Sequence, residues 1–259
     1  MMRAARRYQI TGPPTEFPGV SDDRYLVRVA ANPYEVETAL KLRFRVFNLE
    51  LGNQTSVAQD EQLEFDSYDT KCRHLIVISK ATGDTVGTYR LNSIETAHSL
   101  HGFYSSNQFT LEDLPSNVLT NGIEIGRACI DAEHRNTKVL YLLWKALLAY
   151  LDHQRKRYFF GCCSIFTRDE AVGRQAYRQL VSDGHLHPSF YVMPSRNAVS
   201  LVGDDRVERI ELPALYNMYL RLGARVCSPP MIDREFGTID FFVVFDVADL
   251  SSKYRRMFS

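Results

Sequence analysis

Glu124-Ile-Gly-Arg127 places a carboxylate and a guanidinium three residues apart inside an apolar, β-rich run, Gly122 to Ile130, where an unpaired charge is costly. Strict strand alternation sends the two side chains to opposite faces. An extra residue at Gly126 would bulge the strand, turn both to one side, and release backbone N–H and C=O groups for a linear ligand such as pantetheine. A structural Glu–Arg pair at a sheet edge satisfies the same spacing. Asp66 and Asp69, with Glu61 and Glu64 nearby, form a carboxylate-lined segment suited to a cationic amine or to holding Arg43 and Arg90; a solvated acidic loop has the same pattern. Arg135-Asn136-Thr137-Lys138 precedes an apolar helix, so first-turn N–H groups and two cations suit a single phosphate, although an ordinary capped helix start fits equally. His185 and His187 lack a third metal ligand at a familiar spacing, and Ser164 lacks the GxSxG context of a hydrolase nucleophile.

The elements that must position these residues follow from periodicity. Tyr25 to Ala30 alternates as a short strand, and Pro33 opens a helix in which Val36, Leu40, Arg43, Phe44 and Phe47 share a face, ending near Gly52. Asn53 to Asp69 matches neither period and is expected as a loop. His74 to Ser79 and Thr85 to Leu91 form a hairpin whose turn, Lys80 to Asp84, uses Gly83 for a positive φ, and Arg90 leaves its second strand among apolar neighbours. After Gly122 to Ile130, Thr137 is the expected N-cap of a helix carrying Leu140, Leu143, Trp144, Leu147 and Leu151, and Tyr158 to Phe166 follows as a buried strand. Strand, helix, strand implies a parallel crossover. Asp169 to Val181 and Pro213 to Leu222 read as helices around a long irregular excursion, Gly184 to Asp205, and Ile239 to Val247 as a final strand. The expected fold class is therefore α/β: a mixed central sheet with one bulged strand, flanked by helices, as a single domain over residues 23–259 behind a flexible arm, 1–22.

Composition limits the function. Lys+Arg and Asp+Glu both total 31, a formal charge of zero that argues against coating nucleic acid through a net positive field. The five cysteines form no CxxC pair and read as reduced cytosolic thiols rather than a disulfide framework or zinc site. Val139 to Leu151 contains Lys145 and falls short of the roughly 20 apolar residues that cross a bilayer.

Taken in order, Leu42-Arg-Phe-Arg-Val-Phe47, Glu64-Phe-Asp-Ser-Tyr-Asp69, Val86-Gly-Thr-Tyr-Arg-Leu91 and Glu124-Ile-Gly-Arg127 resemble the acyl-homoserine-lactone-synthase branch of the GNAT acyltransferases. Arg127-Ala-Cys-Ile-Asp-Ala-Glu-His-Arg135, Leu142-Leu-Trp144 and the span from Tyr219-Leu-Arg-Leu-Gly-Ala-Arg-Val226 to Asp240-Phe-Phe242 look more like the haemolysin-like relatives that include ornithine-lipid N-acyltransferases. The C-terminal blocks discriminate better and favour the lipid-making branch. Two departures stand out: Arg135 to Lys138 lacks the usual GNAT glycines, and the lactone-synthase tryptophan has no match between Phe47 and Asp66.

This resemblance implies transfer of a fatty, or 3-hydroxy fatty, acyl chain from the phosphopantetheine thioester of acyl carrier protein, or from acyl-CoA, to the α-amine of an amino acid such as ornithine, giving a lyso-aminolipid. It implies no tightly bound cofactor, no metal and no nucleic-acid partner, and a cytoplasmic protein compatible with peripheral contact at the inner membrane face. Glu124 is the expected base, with Arg127 beside it, and Arg43, Asp66, Asp69 and Arg90 are the substrate-binding set. Ala128, Cys129 and Ile130 after the bulge, with Arg135, Asn136, Thr137 and Lys138, are the expected acyl-donor contacts. An acidic carrier would meet basic clusters at Arg155–Arg157, Arg174 and Arg178, or Lys253–Arg256. A lactone-type signal synthase and a catalytically silent acyl-carrier or lipid-binding module are the competing functions.

Overall fold

A computed structural model describes residues 16–52, 57–58, 61–203 and 209–258. Its strands are β1 (Val20–Ser21), β2 (Tyr25–Val29), β3 (Val57–Ala58), β4 (Leu63–Glu64), β5 (Arg73–Ser79), β6 (Thr85–Ser93), β7 (Gly122–Ile130), β8 (Tyr158–Ile165), β9 (Arg225–Val226), β10 (Met231–Asp233) and β11 (Thr238–Asp246). The helices are α1 (Pro33–Arg43), α2 (Ile94–His98), α3 (Ser116–Thr120), α4 (Thr137–His153), α5 (Glu170–Ser182), α6 (Ala214–Leu222) and α7 (Ser252–Phe258). The chain clusters into two compact units, one of residues 1–101, 125–156 and 256–259, the other of 102–124 and 157–255.

In the first unit the strand order is β1-β2-β5-β6-β7, with β1, β2, β5 and β6 antiparallel to one another. The expected hairpin is present, with Gly83 at φ 79° in its turn. Every residue of β6 from Thr85 to Asn92 is buried, so both faces of this strand are covered and Arg90 cannot reach bulk water. Helix α1 starts at Pro33 under an Asn32 cap that accepts from Glu35 N at 3.0 Å. Its face joins Ala30, Val36, Ala39, Leu40, Leu63 and Ile76 in one apolar cluster. Past Arg43 the chain widens into a π-type turn over Phe44–Glu50. Helix α4 buries Leu143, Trp144, Leu147 and Leu151 of the stripe that its spacing predicts, whereas Leu140 is half-buried and Val139 is buried instead. Its cap is Asn136 rather than Thr137: the Asn136 side chain accepts from Lys138 N and Val139 N, both at 3.1 Å, and Thr137 is the first helical residue. The two residues are adjacent cap formers, and only backbone geometry chooses between them.

Residues 1–15 of the expected arm lie outside the described residues; beyond them Phe17 is buried edge-on against Tyr150 and β1 pairs with β2. The expected loop over Asn53 to Asp69 instead contains the small β3–β4 hairpin and a capped turn over Ser67–Thr70. Strands this short carry too few residues for alternation to show.

In the second unit Gly122, Ile123 and Glu124 of β7 pair in parallel with Tyr158, Phe159 and Phe160 of β8, as the crossover requires. β8 pairs antiparallel with β11, and β9 and β10 pair with β11. Gly122 is a close-approach glycine: a β-carbon there would lie 2.9 Å from the Phe160 ring and collide with Val118 O. Helix α6 ends at Gly223, φ 108°, where the sequence places its stop.

Candidate active site

Position 43 lies on the core face of α1, three residues past Leu40 and seven past Val36, and its side chain is 0% exposed. A guanidinium taken out of water needs partners within reach. Arg43 meets Asp69 with a fork of two bonds, Nη1 to Oδ1 at 2.7 Å and Nη2 to Oδ2 at 3.0 Å, and also donates to Glu64. Arg90 donates from Nη1 to Asp66 Oδ1 at 2.6 Å and Asp69 Oδ1 at 3.2 Å. Arg127 donates from Nε to Glu64 Oε1 and from Nη2 to Asp66 Oδ2, each at 3.1 Å. Each of three arginines therefore bridges two carboxylates, and each carboxylate bridges two arginines, in a closed, charge-balanced ring: Arg43, Glu64, Arg127, Asp66, Arg90, Asp69.

Local backbone structure aims the acids. Asp66 accepts from Tyr68 N at 2.9 Å while Asp69 accepts from Asp66 N at 2.8 Å, a reciprocal capping box that orients both carboxylates. The Arg90 guanidinium also lies over the Tyr68 ring, 5.4 Å from its centre. Burial by itself would raise Asp69, but Arg43 and Arg90 outweigh it and hold its carboxyl well below the usual carboxylate range. Asp66 is lowered in the same way, chiefly by Arg90 against burial, and Arg43 and Arg90 are raised despite theirs. His74, opposite Arg90 in the β5–β6 register, is buried beneath the ring with Nε2 3.4 Å from Asp69 O. Burial, helped by Arg43 and Arg90 and opposed by Asp69, pushes its imidazole down to about 4.

The ring is open on one side. The Asp66 side chain is 21% exposed and that of Arg127 11%, whereas Arg43 and Asp69 are fully covered. Arg127 has φ 48°, in the left-handed region that costs a side-chain-bearing residue about 1–2 kcal/mol. Its bonds to Glu64 and Asp66 fix that conformation. The left-handed residue of β7 is thus Arg127, next to Gly126, where an added β-carbon would meet nothing within 4 Å.

Within the second unit Glu124 is 5% exposed and accepts three hydrogen bonds from one short segment. Tyr104 N donates to Oε2 at 2.9 Å; Ser105 N and Ser105 Oγ both donate to Oε1 at 2.7 Å. Phe103, edge-on to Phe160 at 5.0 Å, seats that segment against β8. Glu124 thus has backbone and hydroxyl donors among its partners, and Arg127 has carboxylates among its own.

At the start of α4, a surface cavity of about 380 Å³ is lined by Asp22, Arg24, Tyr25, Asn136, Thr137 and Lys138. Of the residues expected at this end, Asn136, Thr137 and Lys138 line the cavity, while Arg135 forks onto Glu50 at 2.5 and 2.9 Å and donates to Ile130 O. Ala128 and Ile130 are half-buried and Cys129 is buried, its thiol pushed up to about 12 by burial. The basic clusters have local partners as well: Lys156 meets Glu95, Arg157 forks onto Asp246, and Arg174 and Arg178 donate to Ser200 O and Gly203 O. Arg255 donates to the carbonyls of Val247, Ala248 and Leu250.

Among the described residues no three His, Cys, Asp or Glu side chains gather as a metal site, and no helix is long and apolar enough to cross a membrane. His187 stacks on Phe190, and its Nδ1 accepts from Ser189 N and Phe190 N. Sequence reasoning missed Glu64 as a ring member, although it begins the Glu64 to Asp69 block, and missed Ser105 and Tyr104. Nothing in the spacing of residues 103–109 marks two of them as donors to a carboxylate on β7.

Residues 42–145 match the acetyltransferase (GNAT) domain family. The chain is 32% identical to an L-ornithine N(alpha)-acyltransferase of Brucella abortus over 242 residues, spanning 88% of this chain and 86% of that protein. It is 30% identical to the L-ornithine N(alpha)-acyltransferase of Agrobacterium fabrum, over 88% of this chain and 82% of that one. Its fold is similar to that of FeeM, an N-acyl amino acid synthase from uncultured soil microbes, with a TM-score of 0.51 at 10% identity over 88% of this chain and 94% of that one. With such identity sustained along most of its length, the chain belongs to the family of the L-ornithine N(alpha)-acyltransferases, on a GNAT-type mixed sheet.

Proposed function

We propose that this protein is an N-acyltransferase that moves a fatty acyl chain from the phosphopantetheine thioester of acyl carrier protein to the α-amine of an amino acid such as ornithine, releasing a lyso-aminolipid. The observation that carries this reading is the exposed edge of the ring. An amino-acid headgroup is a zwitterion, and Asp66 with Arg127 offers one carboxylate for its ammonium and one guanidinium for its carboxylate, in place of the bond they make to each other. The names of the relatives, L-ornithine N(alpha)-acyltransferases, support the acceptor class. Arg43, Asp69 and Arg90 act as positioning residues, because their charges are spent inside the ring.

Glu124, three residues before Arg127 on β7, is the base of this reading. An α-ammonium is only about a tenth neutral at pH 7, so aminolysis gains from a group that removes its proton. The carboxylate takes one proton from the ammonium, and the neutral amine attacks the thioester carbonyl to form the C–N bond. Backbone N–H groups of Ala128, Cys129 and Ile130 are proposed to face the developing oxyanion, each such donor being worth about 3 kcal/mol in other enzymes. The intermediate then collapses with cleavage of the C–S bond; the sulfur leaves with the second amine proton as a thiol, and Glu124 returns the first to solvent. Lys138 and the α4 dipole at the cavity suit the single phosphate of phosphopantetheine. The same chemistry accepts acyl-CoA, and it is compatible with a cytoplasmic protein that delivers its product to a nearby membrane face.

The test incubates purified protein with acyl-carrier and acyl-CoA thioesters and a pool of amino acids, and identifies products by mass. N-acyl amino acid formation, lost in E124Q at saturating donor, is expected. Undiminished turnover by folded E124Q would remove the base; lactone products or no acyl transfer would overturn the activity.

A further inference from the structure

Glu124 is held by two backbone N–H groups and one buried hydroxyl. Ser105 is 1% exposed, and its backbone N–H and its hydroxyl converge on the same carboxylate oxygen at 2.7 Å. Behind it lies a second layer. Cys162 Sγ is 3.5 Å from Ser105 Oγ and 2.8 Å from Gln108 Oε1. Gln108 Nε2 donates to Asp233 Oδ2 at 2.8 Å and to Asp240 Oδ2 at 3.2 Å.

These contacts orient the Gln108 amide and the Cys162 thiol. Two carboxylate oxygens accept from the Gln108 amide nitrogen, so its oxygen must face Cys162. That oxygen has no proton, so the thiol donates to it. With its proton on Gln108 the sulfur offers Ser105 only a lone pair at 3.5 Å, a weak acceptor, so the Ser105 hydroxyl donates to the carboxylate oxygen 2.7 Å away. Phe103 on Phe160 and Phe109 on Phe242 anchor both ends of the segment, so the donors cannot drift.

We propose that Ser105 is a positioning residue that aims the Glu124 carboxylate, and that Gln108, through Cys162, holds the Ser105 side chain in place behind it. The inference rests on Glu124 being the base, and the experiment separates the two. S105A, S105T and Q108L are compared with E124Q for kcat and for KM of the amino acid, with thermal unfolding of each. A lost hydrogen bond to a charged group should lower kcat of S105A by about tenfold to a hundredfold, with KM changed less than about twofold. S105T, which keeps a hydroxyl, should recover most of that loss, and Q108L should show a smaller, several-fold drop in kcat. Full kcat in S105A overturns the proposal, as does S105T no better than S105A. Should S105A fail to fold, Q108L decides, since it leaves Ser105 and both backbone donors in place: unchanged kcat there overturns the proposal. Turnover retained by E124Q instead removes the base itself, whatever the Ser105 variants do.

Discussion

Glu64 accepts from both Arg43 and Arg127, and so ties a guanidinium that no water reaches to one at the open edge of the ring. The inner arginine belongs to the core of the first unit and the outer one to the proposed acceptor site. One carboxylate therefore couples stability to substrate binding.

That coupling makes Glu64 and Asp66 separable by mutation. E64Q leaves Arg43 buried with one anionic partner fewer, and should cost about 3 kcal/mol of stability, the scale for breaking a buried pair. D66N leaves Arg90 with one anionic partner fewer but acts where the ring is partly solvated, and should cost less than E64Q, about 1.5 kcal/mol. It should nevertheless raise KM for the amino acid by about tenfold to a hundredfold through loss of a charged contact. Urea unfolding and steady-state kinetics on the two variants check this; equal stability losses would show that the ring is not divided into an inner and an outer side.

Two buried groups should impose opposite pH dependences on stability in the same window. His74 is depressed to about 4 from an ordinary 6.5, so its contribution is complete above about pH 6.5 and is lost as pH falls through 4. Asp240 is raised by burial to about 6 from an ordinary 3.8, so its contribution is complete below about pH 3.8 and is lost as pH rises through 6. Each amounts to about 3 kcal/mol and the two nearly cancel between pH 4 and 6.5. Equilibrium unfolding across that range should show stability falling with rising pH in H74Q and rising more steeply than wild type in D240N. Curves parallel to wild type in both variants would exclude the assignment. Below pH 4 the lowered Asp66 and Asp69 take over, and stability should fall as they protonate.

At the start of α4, capping and donor binding fall on neighbouring residues. N136A removes the side chain that accepts from Lys138 N and Val139 N and should cost about 1 kcal/mol of stability. K138A keeps the cap and should leave stability within about 0.5 kcal/mol while raising KM for the acyl donor several-fold. The salt dependence of that KM should flatten in K138A. An unchanged donor KM in K138A would move the phosphate away from this cavity.

Much of this was legible in the string of residues. The helical period put Arg43 on the same face as Val36 and Leu40, which fixed a buried charge and the need for counterions; β-rich runs and turn residues fixed the hairpin that delivers Arg90 and the crossover that delivers Glu124. Those are local properties, set by backbone periods and by the cost of desolvating charge. Only the folded chain decided the pairing. Sequence spacing left Asp66 and Asp69 open to a substrate amine, whereas long-range packing brought Arg43, Arg90 and Arg127 to them and spent most of that charge internally. The left-handed turn fell at Arg127 because its guanidinium is pinned at the far end, a contact 61 residues away in the chain. Ser105 reached Glu124 across 19 residues for the same reason: hydrogen bonds are short-ranged in space but blind to separation along the chain, so which donor finds which carboxylate is settled by packing.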